Sequence, residues 1–540
     1  MNKIYKVVWN ATRGCYVVAS ELVKTHQGKK STRRGGNILS RAGTALLLAI
    51  AGWGAACNFI YADVTVADPA HTGKVNKTQL AGGGIQYDIT NQQVNNGSAL
   101  NKFTDFGIGQ KDVANLQLGK VDRQINLVQN RIEIDGVVNA IKDNKIGGDV
   151  YFFSDAGIAV GANGVFNVGR LTLGTNAAYG EALYNGGMEK HLAQSAASQA
   201  KAVAGGSDIT LQGKVYAQGD VVLGAGSLNV KDGEIEIRTH RNNADTYADK
   251  KAADTYRNQL VNVSPSATVA TALGHGDIAL AAVGASSVAT PFETKGAIVI
   301  NQAYIDAAGG DTSVIASAER NGGNLMGSKA DASVEISNAT IQGQNVAISA
   351  ETKVSGKVGS ADAYKTGAEE DGILGLLHAT FDEQVGSLAS VVKTGADSRV
   401  TVKDSTLTAA KDLAISSKAE SEIGSETGGA LGVGINVGIA DVSSKVEIQG
   451  TSGLTAGKDL AISAEGSNAI DLQRQGSAED IPIAIDLGWA EAKTDASVTV
   501  AKDATLKAKE NVDVSAKAER NLSVEVENSS GDGTLGLAVG

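Results

Sequence analysis

The chain has 540 residues, with 66 glycines, four prolines, 4% aromatic residues and a formal net charge of −11. So much glycine beside so little aromatic surface argues against a compact globular enzyme and suits many short strands joined by tight turns. The acidic balance argues against nucleic acid or anionic membrane as an electrostatic partner, and the only two cysteines, Cys15 and Cys57, both lie among the first 62 residues.

Those first 62 residues read as an export leader. MNKIYKVVWNATRGCYVVASELVKTHQ is followed by the cations Lys29, Lys30, Arg33, Arg34 and Arg41, then by an apolar run from Ala45 (ALLLAIAGWGAA) that leads to Ile60-Tyr61-Ala62. A charged region, an apolar region and a small residue before a polar start describe a secretory signal peptide, with cleavage expected between Ala62 and Asp63. The uncharged span from Ala42 to Ala62 is 21 residues, enough to cross a bilayer of about 30 Å, so a retained anchor is the competing reading. Its Gly/Ala richness and the cations ahead of it favour cleavage. A lipoprotein reading through Cys57 is disfavoured by Gly54, which stands where a branched apolar residue is expected. The leader holds nine of the 48 Lys/Arg and one of the 59 Asp/Glu, so the remainder carries 39 cations against 58 anions, a formal charge of −19, and no cysteine. MNKIYKVVWN, Arg13-Gly14 and YVVASE resemble the extended signal peptide region of very large type V secreted proteins, a class that includes autotransporters and two-partner secretion exoproteins.

In residues 63 to about 175 the segments FTDFG (Phe103 to Gly107), QINLV (Gln124 to Val128), RIEIDGVV (Arg131 to Val138) and VYFFSDAGIAVGANGVFNV (Val150 to Val168) resemble the N-terminal secretion domain of filamentous-haemagglutinin-like proteins of two-partner secretion. The match is closest to the leukotoxin-type filamentous adhesins. The resemblance implies that residues 63–230 form a secretion domain, the capped start of a β-helix, recognised in the periplasm by POTRA domains of an outer-membrane transporter. The family's Asn-Pro-Asn-Gly-Ile turn stands here as Ser154-Asp155-Ala156-Gly157-Ile158, without the proline, while Asn163-Gly164 keeps the second Asx-Gly turn. Asp155 can cap its turn through its carboxylate and Gly157 can take positive φ, so the bend is expected to persist. The candidate recognition and turn residues are Gln124, Asn126, Asn130, Gly136, Asp155, Gly157, Gly161, Asn163 and Gly164. For each, a purely structural place in a turn or coil stack is the alternative.

Two Ala-rich stretches, Ala177 to Ala204 and Asn243 to Leu260, break the strand pattern and read as short helical excursions, either plain insertions or receptor-facing features. In residues 231–540 a block recurs: VEISNATIQGQNVAISAE (Val334 to Glu351), VTVKDSTLTAAKDLAISSKAE (Val400 to Glu420), VEIQGTSGLTAGKDLAISAE (Val446 to Glu465) and VTVAKDATLKAKENVDVSAKAE (Val498 to Glu519), with a degenerate copy from Ile298 to Glu319. Each block holds two or three period-2 strands separated by polar corners. So small a unit cannot bury its apolar face alone and must stack on its neighbours. The fold class expected is all-β, a right-handed parallel β-helix with Val on Val and Ile on Ile. At about 20 residues per coil it would have on the order of 20 coils and rise about 100 Å. The Gly-rich alternating runs Gly428 to Val442 and Pro482 to Ala490 read as further coils between the blocks.

The six histidines have no metal spacing, and no HExxH, GxSxG or Walker motif occurs. Gly531 to Gly536 matches GxGxxG in letters but has no βαβ context. A parallel β-helix can host polysaccharide lyases and hydrolases, yet the acidic residues fall at corners such as Lys411-Asp412 and Lys458-Asp459, where solvated turns account for them. The chain is therefore expected to be non-enzymatic, without cofactor or metal. Gly531 to Gly540 resembles the run at Gly428, so the sequence is expected to stop inside a coil of a longer protein. The function expected is that of a filamentous adhesin, secreted or held at the surface of a bacterium with an outer membrane, touching host-cell or bacterial receptors. An autotransporter passenger, a secreted leukotoxin and a polysaccharide-degrading enzyme are the rivals.

Overall fold

The computed structural model describes residues 5–10, 15–20, 63–81, 83–143, 145–239, 276–287, 290–307, 309–321, 327–358, 389–429, 433–478, 483–530 and 535–539. Ala62, the apolar run of the leader and the stretch Asn243 to Leu260 lie outside the described residues. The chain divides into two compact units, Met1–Ala56 and Cys57–Gly540. In the first, Tyr5–Asn10 and Cys15–Ser20 form an antiparallel hairpin with Tyr5 opposite Ser20 and Asn10 opposite Cys15.

The second unit is a parallel β-helix in which each coil contributes three strands to three faces. One coil shows the pattern: Ala389–Lys403 ends on the first face, Thr406–Ala409 lies on the second and Leu413–Gly429 begins on the third. Between the first and second faces the backbone turns through a left-handed residue, and at successive coils Asp232, Gln302, Asn338, Asp404 and Gly450 hold φ between 46° and 67°. Polar residues and glycine tolerate that conformation, whereas a β-branched residue does not.

The recurring blocks stack residue for residue. Ile298, Val334, Val400, Val446 and Val498 pair in consecutive coils on the first face. Ile341, Leu407, Leu454 and Leu506 do so on the second, and Ile348, Ile415 and Ile462 on the third. All but those of the last coil are buried in one continuous core, where each side chain contributes about 1.5–3 kcal/mol over its exposed state.

The coil count departs from the sequence expectation. The second face has 13 strands, of which Thr72–Gln79 and Lys145–Ile146 pair antiparallel, leaving eleven parallel rungs. Ten steps of about 4.8 Å make a rise of about 50 Å, half that expected. The block spacings of 66, 46 and 52 residues are each one coil. The runs at Gly428 and Pro482 are therefore not extra coils. They belong to long strands, Leu413–Gly429, Val433–Gln449, Asp459–Ala478 and Ile483–Val500, whose outer parts leave the three-sided rod and stack as a two-layer flange.

The flange has its own core of Val392, Ile423, Ala440, Ile470 and Leu472, with Ala490, Ala492 and Val524 packed against it. Buried serines separate it from the rod's core: Ser417 Oγ donates to Ser398 Oγ and Ser444 Oγ to Ser417 Oγ, both at 2.9 Å, and Ser398 Oγ donates to Ala350 O at 2.6 Å. Small side chains let the two sheets close there, and the hydroxyl chain satisfies its own polar atoms. Toward the flange tip Arg474 and Asp486 form a buried ion pair.

The N-terminal edge is covered by antiparallel chain. Val64–Val66 pairs with Ser98–Ile108, and Thr72–Gln79 pairs with Ile85–Asn91, so the first rungs do not present an open strand edge. The predicted excursion at Ala177 to Ala204 is helical: α1 (Ala177–Ala182), a π-turn (Leu183–Gly187), α2 (Met188–Leu192) and α3 (Ala196–Val203). It packs on the outer side of the third face, where Leu183, Met188, Ala196, Ala200 and Val203 bury Leu100, Ile125, Tyr151 and Phe153.

Candidate functional site

The residues singled out in the first coils fall into three places. At the corner between the first and second faces, successive coils are hydrogen-bonded backbone to backbone. Asp135 N donates to Ile108 O and Gly161 N to Ile134 O, both at 2.7 Å, and Val165 N donates to Gly136 O at 2.9 Å. That leaves no room for side chains. A Cβ at Gly136 would lie 2.2 Å from Gly109 O and 2.4 Å from Asp112 O, and one at Gly164 would lie 2.6 Å from Ile134 O. Gly161 accepts from Gly164 N at 2.9 Å to close its turn. Asn163 sits exposed at the tip, its Nδ2 donating to both carboxylate oxygens of Asp135 at 3.3 Å.

At the next corner, between the third and first faces, lie Asn130, Asp155 and Gly157. Gly157 N donates to Ser154 O at 3.1 Å and Gly157 has φ +94°, so the bend persists without the proline. The cap differs from expectation: Ser154 Oγ accepts from Ala156 N at 3.2 Å, while the Asp155 carboxylate accepts from Ala177 N at 2.7 Å, at the start of α1. Asp155 thus ties the turn to the helical excursion. Asn130 is exposed and donates to Asp105 Oδ1 at 2.8 Å, while its carbonyl accepts from Ser154 Oγ at 2.8 Å. Beside it Arg131 grips Asp208 through two parallel bonds of 2.9 and 2.8 Å. Burial works against the charge on Asp208, but the guanidinium fork outweighs it and holds the carboxyl below its ordinary range.

Gln124 and Asn126 occupy the third place, inside the rod. Both are fully buried on the strand Arg123–Val128, with Asn101 one rung away. Gln124 Nε2 donates to Asn126 Oδ1 at 3.1 Å, Asn101 Nδ2 donates to the same oxygen at 3.2 Å, and Asn126 Nδ2 donates to Tyr151 O at 3.2 Å. Asp63 is half-buried, its carboxylate accepting from Val64 N at 2.7 Å and from Lys77; Ala62 lies outside the described residues.

Two polar ladders escaped the sequence reading. Asn115, Asn139 and Asn167 are fully buried and stacked, with Asn139 donating to Asn115 at 3.2 Å, Asn167 to Asn139 at 2.9 Å and Asn115 to Asp88 at 2.9 Å. The recurring Val-x-Asn triplets at Val113, Val137 and Val165 were the available signal. Along the corner between the second and third faces, Asp220, Asp277, Asp311, Asn345, Asp412 and Asp459 form the second ladder, each accepting a backbone N–H or an asparagine amide from the next coil. Asp412 and Asp459 are therefore rungs of this ladder as well as corner residues. Burial raises the Asp277 carboxyl, and Asp220 and Asp311 on either side raise it further against the lowering effect of its backbone bond.

Outside the corners, an open groove of about 820 Å³ runs along the first face, lined by charged columns that include Asp331, Asp397 and Asp495 beside Arg399 and Lys445. Lys329 pairs with Asp397 at 2.8 Å. Among the described residues no group of three or more His, Cys, Asp or Glu is placed to hold a metal ion.

Residues 1–50 match the family described as the Extended Signal Peptide of Type V secretion system. The leader is that of a type V secreted protein. Export of this chain by type V secretion follows, which places it at the surface of, or outside, a bacterium with an outer membrane. No curated protein and no solved structure matches the chain.

Two outcomes follow from the corners and the excursion. Gly136→Ala forces backbone apart and is expected to cost about 2–4 kcal/mol, in the range of overpacked sites, while Asn163→Ala at the exposed tip costs about 1 kcal/mol or less; denaturant melts of both variants compare them. His191 in α2 is 1% exposed, its Nδ1 is 3.1 Å from Tyr179 Oη, and its Nε2 has no partner. Burial pushes its pKa down to about 4. Since the unfolded imidazole titrates near 6.5, the unfolded chain takes up the proton first on acidification. Docking of the excursion therefore weakens from about pH 6.5 to about pH 4, by as much as about 3 kcal/mol, and levels off below. Hydrogen exchange in α1 to α3 should show that trend, and His191→Phe should abolish it.

Proposed function

We propose that the chain is a filamentous adhesin, secreted or surface-attached, exported by two-partner secretion. In this reading, residues 63–230 are the part that POTRA domains of an outer-membrane transporter recognise, and the later coils present a repeated surface to receptors on host cells or other bacteria. The observation that carries the reading is a type V leader joined to a parallel β-helix whose first rungs are capped and whose first coils hold the segments that resemble the secretion domain.

The mechanism rests on when each group is accessible. Gln124 and Asn126 are reachable only before the first coils close, so a periplasmic receptor would read them in the unfolded chain. Asn130, Asp155 and Asn163 stay exposed at two folded corners and are available in both states. Once outside, the capped first rungs leave growth one direction, because each new coil finds the strand edge of the coil before it. Burial of the matched Val and Ile columns then favours outward movement of the chain without a nucleotide fuel. The chain acts by binding, with no catalytic step, cofactor or metal.

The test is expression of the full chain in an outer-membrane bacterium with and without a two-partner transporter, reading surface exposure by protease shaving. Surface exposure is expected to rise at least about tenfold with the transporter, and beads coated with the exported chain should adhere to cells. Equal exposure without any transporter contradicts the secretion route.

A further inference from the structure

The turn that joins Val64–Val66 to Thr72–Gln79 contains a peptide bond with chemistry of its own. Of the four prolines, Pro69 alone follows an aspartate; the others follow Ser264, Thr290 and Ile481. In an Asp-Pro unit the aspartate carboxylate can close onto its own main-chain carbonyl carbon as a cyclic anhydride. The nitrogen that must then leave belongs to a tertiary amide, which takes up a proton more readily than an N–H amide does. Whether such a bond breaks in a folded chain depends on what surrounds it.

Three features of this turn act on the bond. The Asp68 carbonyl oxygen accepts from two backbone donors, Thr72 N at 2.9 Å and His71 N at 3.2 Å. The carbon to be attacked is thereby polarised, and a negative oxygen forming on it already has its donors. The Asp68 carboxylate is held at both oxygens: Oδ1 accepts from Ala70 N at 2.9 Å, and Oδ2 lies 2.6 Å from His71 Nδ1. The bond to His71 holds the carboxyl below its ordinary range and keeps it ionised as a nucleophile. His71 is also a proton carrier, placed beside that carboxylate and two residues from the nitrogen that must leave. Among the described residues neither group has a second ion-pair partner. Pro69 and Ala70 are exposed, so water reaches the bond. The rod fixes the turn in place, since Ala67 N and Thr72 Oγ1 both donate to Lys102 O at 2.9 Å.

We propose that the folded turn cuts its own Asp68–Pro69 bond. A carboxylate oxygen of Asp68 forms a bond to the Asp68 carbonyl carbon, and the bond from that carbon to Pro69 N breaks. Its electron pair goes to the nitrogen, which takes the proton of the His71 imidazolium and leaves as a secondary amine. Water then opens the anhydride to two carboxylates and releases two protons, one returning to His71 and the other going to the Pro69 amine. The sum is hydrolysis of one peptide bond, with no oxidant, reductant or cofactor. Because the carbonyl gains its donors only when the turn has formed, the cut follows closure of the cap. Residues up to Asp68 are then held to the rod only by the pairing of Val64–Val66 with Ser98–Ile108, the contacts around it and the Asp63–Lys77 ion pair. The rod is thus severed from whatever precedes Pro69, whether or not the leader has been removed. The event happens once in each chain, so it is a processing step beside the binding role and turns over no substrate.

N-terminal sequencing and intact mass of the exported chain, kept at about pH 5 and about pH 8, test the proposal. The expected product begins Pro69-Ala70-His71 and forms at least about tenfold faster at the lower pH, because an imidazolium can supply the proton and an imidazole cannot. Asp68→Ala is expected to abolish the cut, and His71→Gln to slow it at least about tenfold and flatten its pH profile. Unfolding the unaltered chain in concentrated urea is expected to slow it at least about tenfold, since the carbonyl loses both donors. Unchanged far-UV circular dichroism checks the fold of the two variants. An N-terminus that stays ahead of Asp68 after days at about pH 5, a cut that survives Asp68→Ala, or a pH profile that His71→Gln leaves unchanged overturns the proposal. So does an equal rate in urea, which assigns the break to the bond alone and not to the folded turn.

Discussion

Backbone hydrogen bonds hold each described rung of the second unit about 4.8 Å from the rung before it, and that spacing decides which side chains the chain can carry. Inside the rod it puts residues of one kind on top of one another, as in the column Ile348, Ile415, Ile462. At the tightest corner it removes the side chain altogether, since Gly136 and Gly164 lie against the carbonyls of the coil before. Along another corner the same spacing lets one aspartate accept the next coil's N–H, and the ladder from Asp220 to Asp459 results.

The spacing also explains why polar residues can be buried in columns. A single buried asparagine would leave amide groups unsatisfied, but Asn115, Asn139 and Asn167 satisfy one another because each stands one hydrogen bond from the next. The serines that separate the rod from the flange follow the same rule. Buried polar columns of this sort fix register more sharply than apolar ones, because a slip of one residue leaves every member without its partner. The long strands then carry that register outward, and the flange inherits an order set in the rod.

The fold class was legible because period-2 alternation and repeated blocks both point to stacked strands, and the blocks do stack in register. The number of coils was not legible. Alternation looks the same whether a strand lines a three-sided rod or a two-layer flange, so the run at Gly428 carried no sign that it extends existing strands. The turns at Gly157 and Gly164 could be read from their residues. The cap on the first could not, because Ser154 and Asp155 are both able to cap and only the position of α1 decides which one does. Gln124 and Asn126 stood out by resemblance, yet their place inside the rod depends on which strand face turns inward, and a segment as short as QINLV does not declare that.

The central claim is that the recurring blocks are consecutive coils, with one rung per block. Beyond residue 57 the chain has no cysteine, so engineered pairs report distance without interference. Thr401 and Glu447 are partners in adjacent rungs, and Thr499 follows one rung later in the same column. A disulfide requires Cα atoms within about 7 Å. Mild oxidation should therefore cross-link Thr401→Cys with Glu447→Cys and leave Thr401→Cys with Thr499→Cys free. Failure of the first pair in a folded chain, as an intervening coil would produce, contradicts the account.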